Sequence, residues 1–508
     1  MAGAGALGGG RVWAVDRGLR GGAGGGAPPP ASRPADTQPA PSPATQPAAG
    51  KPKPGPKYFV LRYDDDFSYL DGPEGSYEPD FFDPIKRIHI GDDVTLRLGG
   101  EIRGRLESLT HKRYGLNEGR GRTRFPTQDT YFVHRYYYHA DVEYRKLLRV
   151  FVEGISAWGE DIDKSPMPPF EDRFDAHQLF ADLRFLGEEV PLTLRVGRQE
   201  LNYGRQRLLG ILDWANVRRT WDAVKVFWND PAWSADVFYA RPVDFFNKRP
   251  DRYDEDVHLY GWYNTYKGIR DHGIDAYFFA LRNSGRFTNA NFRRGDVGDL
   301  SLYTAGSRFW GKRPVGAHLW DYDTELAGQW GKASGDTIQA WMWSADTGYA
   351  LSNLPWKPRI GVGLDYASGD DDPFDDIHGT FNQLFPTPHA YLGLVDQVGR
   401  QNIWSQNVNL TLKPHERVTT QLTWLTFWLD KNTDALYGVT GLPVRRSVRG
   451  GVGTEVGHEL DWTLTWEIDR HATLLLGYSH MWTSGFFNRR NGPDEEPDLF
   501  YVQYSYKF

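Results

Sequence analysis

The chain closes on residues 498–508, DLFYVQYSYKF. Phe500, Val502, Tyr504, Tyr506 and Phe508 fall on one face of an extended ribbon, and Tyr501, Gln503, Ser505 and Lys507 on the other. An edge strand in water rarely carries such a row, because open backbone beside exposed aromatics invites aggregation. A barrel wall with lipid outside and water inside suits both faces.

Working back from that stretch, the same period of two recurs from about Asp92 onward. In VTLRLGGEIRGRLESL, Val94, Leu96, Leu98, Ile102 and Leu106 oppose Thr95, Arg97, Glu101, Arg103, Arg105 and Glu107. YFVHRYYYHADVEY sets Tyr136, Tyr138, Ala140, Val142 and Tyr144 against Arg135, Tyr137, His139, Asp141 and Glu143. RIGVGLDYASG sets Ile360, Val362, Leu364 and Tyr366 against Arg359 and Asp365, and HELDWTLTWEI sets Trp462, Leu464 and Trp466 against Glu459, Asp461 and Glu467. Alternation of this length exceeds the roughly 5–6 residues of a typical soluble strand. There are about eighteen such segments at a spacing of roughly 23 residues, which fits outer-membrane strands with alternating short and long connections. No strand–helix alternation appears, which argues against a parallel α/β fold. The expected fold is all-β, a transmembrane antiparallel β-barrel of about eighteen strands.

Composition sets limits on the alternatives. Mean hydropathy is −0.59, and no run approaches the roughly 18 apolar residues a spanning helix needs. Among 508 residues are 19 Trp, 27 Tyr and 28 Phe, suited to interfacial girdles and equally to a carbohydrate-binding surface. With no Cys there are no disulfides, thiolate metal sites or Cys nucleophiles. A net charge of −7 gives no footprint for nucleic acid.

Three regions are expected. Residues 1–57, rich in Gly, Ala and Pro, read as a disordered leader or linker. Residues 58–91 form an N-terminal extension, and residues 92–508 the barrel. An exported barrel needs a signal peptide with an apolar core. MAGAGALGGGRVWAVDRGLR has none, so the expectation is either a start upstream of Met1 or no export.

The most specific block is LTLRVGRQELNYGRQRLLGILDWANVRRTWDAVKV, residues 192–226. It resembles the alginate-export family of outer-membrane porins, in which a strand reading L-R-x-G-R-Q leads through a Gly-containing turn into the next strand. EVGHELDWTLTWEI resembles the family's G-x-E-L-D strand, and IGVGLDYASGDDDP its G-x-G-x-x-Y-A-x-G strand. The resemblance covers roughly Asp92 to Phe508. It implies an outer-membrane barrel passing an anionic uronate polysaccharide such as alginate, surrounded by lipid and inserted by the barrel-assembly machinery through the strand ending on Phe508. Arg195, Arg198 and Gln199 match R-x-G-R-Q, and Glu459 with Asp461 match G-x-E-L-D. The exporter has a basic residue directly after that Gln, where this chain has Glu200; its Arg-Glu pair on the preceding strand aligns with His177 and Gln178.

Arg suits such a lumen because its planar donors fit carboxylates. The residues expected on the pore wall are Arg97, Arg103, Arg105, Arg135, Arg195, Arg198, Glu200, Arg207, Arg219, Arg359, Asp365, Glu459 and Asp461. Residues 195–219 hold six Arg against two acids, Glu200 and Asp213, and read as a basic stripe for an anionic solute or as rim ion pairs to Asp213 and Asp222. The irregular stretch 380–403, within a segment near 370–401 that could fold inward, would bring His389, Tyr391, Asp396 and Arg400 to the solute.

SGDDDPFDDIHG, residues 368–379, carries five Asp without EF-hand spacing, so Ca²⁺ there is an open question. No H-E-x-x-H, G-x-S-x-G, phosphate-binding loop or dinucleotide fingerprint appears, and GVGTEVG at 451–457 has the wrong spacing. The 14 His show no ligand spacing. The expectation is a porin without catalytic residues, metal or cofactor. The alternatives are a porin of this fold for another or general solute, and a surface carbohydrate-binding β protein.

Overall fold

The computed structural model describes residue 55 and residues 57–508 apart from 74, 116–127, 163–169, 188, 248, 289–296, 448–451 and 488–493. The expected leader at 1–57 lies almost wholly outside the described residues.

Eighteen antiparallel strands close on themselves into a barrel. In chain order they are β1 (Val94–Thr110), β2 (Asp129–Tyr144), β3 (Leu148–Glu160), β4 (Asp172–Leu183), β5 (Leu192–Gln199), β6 (Trp221–Asn229), β7 (Trp233–Asp244), β8 (Val257–Tyr266) and β9 (His272–Thr288). They continue as β10 (Val297–Val315), β11 (His318–Ala333), β12 (Asp336–Ala350), β13 (Arg359–Ala367), β14 (Ile403–His415), β15 (Val418–Leu429), β16 (Glu455–Glu467), β17 (Ala472–Thr483) and β18 (Asp498–Lys507). The seam is a continuous ladder between β1 and β18, from Glu101 opposite Lys507 to Thr110 opposite Asp498. Closure leaves no open edge, which a strand in lipid could not tolerate.

Side chains follow the pleat. Ile102, Leu106, Val196, Val224, Val237, Leu326, Val362 and Val408 stand exposed on the outer face. Tyr144, Trp233, Tyr349 and Trp466 flank that apolar band near the short turns, and Trp330 and Trp341 near the long loops. On the terminal strand, Phe500 and Tyr504 point out while Tyr501 is buried inside.

The wall is uneven in height. β5, β6 and β13 run only 8, 9 and 9 residues, whereas β9 to β12 run 15 to 19. Two long connections leave from these short strands: residues 200–220 between β5 and β6, and residues 368–402 between β13 and β14. Both pack inside the barrel, where Leu201, Leu208, Leu209, Phe381, Leu392, Val395 and Val398 join one apolar cluster with Trp221, Phe238 and Tyr501 of the wall.

A third segment, residues 57–87, fills the opposite mouth, at the short-turn end. Arg62 donates to the carbonyls of Gly100 (2.8 Å) and Phe508 (3.1 Å) and pairs with Asp65 at 2.8 Å. Tyr63 packs edge-on against Phe151 and Phe180, at 5.8 and 5.3 Å between ring centroids. Lys86 donates to the Leu98 carbonyl at 2.8 Å.

Candidate functional site

The two inward loops are tied to each other by backbone. Phe385 N–H donates to Leu208 O at 2.8 Å, Gly210 N–H to Phe385 O at 2.9 Å, and Thr387 N–H to Gln206 O at 2.9 Å. They are then fixed to the wall by charge. Arg103 of β1 donates to the carbonyls of Asp213 (2.7 Å) and Ala215 (2.8 Å), and Arg105 to that of Trp214 (2.7 Å). Arg105 also lies 3.8 Å over the Trp214 ring and pairs with Glu107. Arg135 of β2 bridges Glu101 at 2.5 Å and Asp213 at 2.9 Å, and Arg218 reaches Asp213 at 2.6 Å. Partial burial works to raise the Asp213 pKa, but Arg218, Arg135 and Arg103 hold it well below the usual carboxylate range.

Across the lumen, Arg207 bonds Asp323 (2.7 Å), Glu325 (3.0 Å) and Asp346 (2.6 Å), side chains of β11 and β12. Arg400 pairs with Asp365 at 2.8 Å, and Val395 N–H donates to Glu459 at 2.9 Å. Gly393, at φ +89°, allows that approach, since a Cβ there would stand 2.2 Å from the Glu459 carboxylate.

Where the loops meet, the Trp214 indole stacks on the His389 imidazole, with centroids 3.8 Å apart and planes 10° from parallel. Asp396 holds His389 through Nδ1 at 2.9 Å, and Tyr501 abuts Trp214 edge-on. This pair divides the lumen. On the short-turn side is a cavity of about 520 Å³ whose walls include Arg205, Arg359, Asp321, Asp346, Asp365 and Asp461. On the long-loop side is one of about 300 Å³, lined by Arg105, Lys112, Trp214, Arg219, Phe385 and Gln397 among others. His389 lines both.

The residues expected on the pore wall therefore separate into groups. Arg103, Arg105 and Arg135 converge on residues 213–215. Arg359, Asp365 and Asp461 face the larger cavity, with Arg359 paired to Asp321 at 2.5 Å. Arg207 is pinned to wall acids, and Glu459 holds the second loop. Arg195 makes a two-pronged pair with Asp182 and lies over Tyr63, while Arg97 reaches Asp141 and the Asp65 carbonyl; both support the N-terminal segment, away from the divide. Arg198 pairs with Asp222 at 2.9 Å. Glu200, raised to about 7 by burial, lies 3.0 Å from His177. His177 and Glu200, two of the three positions that depart from the exporter pattern, are thus direct partners, and the third, Gln178, accepts the Glu200 N–H at 3.2 Å.

Arg219 differs from the rest. Its guanidinium donates to the carbonyls of Gly210, Phe385 and Pro386, and makes no ion pair among the described residues. Burial lowers its pKa to about 10, which leaves it charged at neutral pH. Arg205, with 44% of its side chain exposed, stands 3.8 Å from Asp323.

Asp213 was named from sequence only as an ion-pair partner for the nearby arginines; Trp214 and the convergence of Arg103 and Arg135 on residues 213–215 were not anticipated. Their signal is LLGILDWANV, residues 208–217, which is too apolar for a connection lying in water.

A profile of the family described as alginate export matches residues 94–502. No curated protein matches the chain by sequence. Among solved structures, the chain is similar to OpdQ and OpdK of Pseudomonas aeruginosa, each 12% identical with a TM-score of 0.55. In both cases 81% of this chain is covered, with 97% and 98% of the respective partner. OccK8 (OprE) of the same organism is 11% identical at a TM-score of 0.54, over 81% of this chain and 98% of that one.

Proposed function

The chain belongs to the alginate-export family, and from that premise we propose that its lumen gives passive, charge-selective passage to an anionic carbohydrate, a uronate polysaccharide or oligosaccharide such as alginate. Family and fold are those of transport porins, and the barrel sits in the outer membrane of a Gram-negative-type bacterium, its apolar band in lipid. In such barrels the long loops face outward and the short turns the periplasm.

The observation that carries the choice of an anion is Arg219. A guanidinium bonded to carbonyls and without an ion pair among the described residues, on the wall of the long-loop-side cavity that His389 also lines, lowers the energy of a carboxylate passing it. Arg205 supplies a second, half-exposed cation on the other side of the Trp214–His389 pair. A polysaccharide would need the two loops to part along that pair. The strand ending on Phe508 is proposed as the segment read by the barrel-assembly machinery.

One observation favours the alternative, a porin of this fold for another solute. Most lumenal arginines are already matched to carboxylates, so their charge is largely spent inside the protein. Liposome swelling separates the readings. Uronate oligomers are expected to enter faster than neutral sugars of the same size; equal rates for both would overturn the uronate reading and leave the general porin.

A further inference from the structure

We propose that Asp172, Asp175 and Asp251 form a binding site for a hard divalent cation of the Ca²⁺ class at the long-loop rim of the barrel. Asp172 and Asp175 lie at the start of β4, and Asp251 on the connection between β7 and β8. Each offers a carboxylate oxygen, and these atoms all lie within 4.8 Å of one another.

Proximity of acids alone would mean little. The second observation is Asp172 itself, which is 1% exposed and whose carboxylate oxygens accept no hydrogen bond, the group beside them being the Asp251 carboxyl. A buried carboxylate without a donor is costly, and buried polar groups are ordinarily satisfied. Its neighbours are held in place from behind. Asp175 accepts the N–H groups of Ala176 and Asp251, each at 2.6 Å, and Asp251 accepts Phe246 N–H at 2.7 Å. Arg198, the guanidinium that reaches this corner, bonds the Asp251 main-chain carbonyl and pairs with Asp222, not with these three carboxylates.

The backbone is also bent to make the arrangement. Asp172 pairs with Ala157, Arg173 with Ser156 and Asp175 with Ile155, so Phe174 is an extra residue in the ladder. The bulge turns the Phe174 side chain outward, 80% exposed, and holds that residue at φ +72°, an unfavourable conformation for a bulky side chain. Without it, Asp172 and Asp175 would alternate to opposite faces. Ca²⁺ takes about 6–8 oxygen ligands in flexible geometry, which three carboxylates and water can supply, whereas Mg²⁺ demands a stricter octahedron.

Two other candidates are weaker. Glu153, His177 and Glu200 also cluster, but His177 and Glu200 already bond each other and Arg218 stands 3.7 Å from Glu200. The Asp-rich stretch 368–379 brings no three of its carboxylates together as a ligand group among the described residues.

The test is equilibrium dialysis of the purified full-length barrel in detergent against radioactive Ca²⁺, alongside thermal unfolding with Ca²⁺ or chelator. The expected result is saturable binding, a melting temperature that rises with free Ca²⁺, and binding at least about tenfold weaker in Asp172→Asn and Asp251→Asn. The double variant Asp371→Asn/Asp372→Asn is expected to bind as the native chain does. Absence of saturable binding to the native chain, or binding unchanged in both Asp172→Asn and Asp251→Asn, would overturn the proposal. If neither variant folds, the native chain's binding and chelator-sensitive melting decide it alone.

Discussion

Trp214 and His389 come from two different loops and meet face to face in the middle of the barrel, 3.8 Å between ring centroids. Their contact is the divide between the two lumenal cavities. Trp214→Ala removes the larger ring while leaving the Arg103 and Arg105 bonds, which go to main-chain carbonyls. Its unitary conductance in planar bilayers is expected to exceed that of the native chain; an unchanged conductance would place the divide elsewhere.

Arg219→Gln is expected to lower the anion-over-cation permeability ratio, read from the reversal potential in a KCl gradient. Arg219→Lys, which keeps the charge, is expected to retain most of it. A ratio insensitive to both changes would remove the cation from the selectivity of the pore.

Arg135→Ala should be severely destabilising. It leaves Glu101 buried beside an Arg218 contact of 3.5 Å in place of its 2.5 Å partner. Breaking such a buried pair typically costs about 3–5 kcal/mol. Denaturant unfolding of the folded, heat-modifiable form measures it, and a loss below about 1 kcal/mol, the scale of exposed pairs, would show the pair to be dispensable.

The N-terminal segment should respond to pH. Burial, aided by Arg62, lowers the Lys86 pKa to about 7. Between about 7 and the free value of ~10.4, the undocked segment binds more protons than the docked one, so docking tightens as pH rises through that window. Protease cleavage near Lys57 is expected to slow from pH 7 to pH 10 in the native chain more than in Lys86→Met. Identical pH profiles would exclude Lys86 as the cause.

Tyr63→Ala should loosen the same segment. The ring packs on Phe151 and Phe180 beneath Arg195, and large aromatic-to-alanine changes in cores typically cost about 3–5 kcal/mol. Faster proteolysis of residues 57–87 with an intact barrel is the expected result; undiminished protection would show the contact to be incidental.

The strands were legible because the pleat writes itself into sequence as a period of two, and each segment expected from alternation has a strand within a few residues of it. VTLRLGGEIRGRLESL alone identified the inner arginines of β1 and the outer Ile102 and Leu106. β4 shows where that period fails. His177 is an extra residue in the ladder, so both it and Gln178 are buried on the inner side, where strict alternation would separate them. The roles of the arginines were less visible still. Arg103 and Arg207 find their partners on loops and strands far along the chain, and pairing at such distance leaves no local pattern. The local signs of an inward connection were the apolar run at 208–217 and the irregularity of the stretch 380–403.

Arg62 bonds carbonyls on both the first and the last stave, at Gly100 and Phe508. Its seat therefore comes into being only when the cylinder has zipped shut. Full docking of the N-terminal segment thus requires a closed seam, and its docking reports that the seam was joined in the correct register.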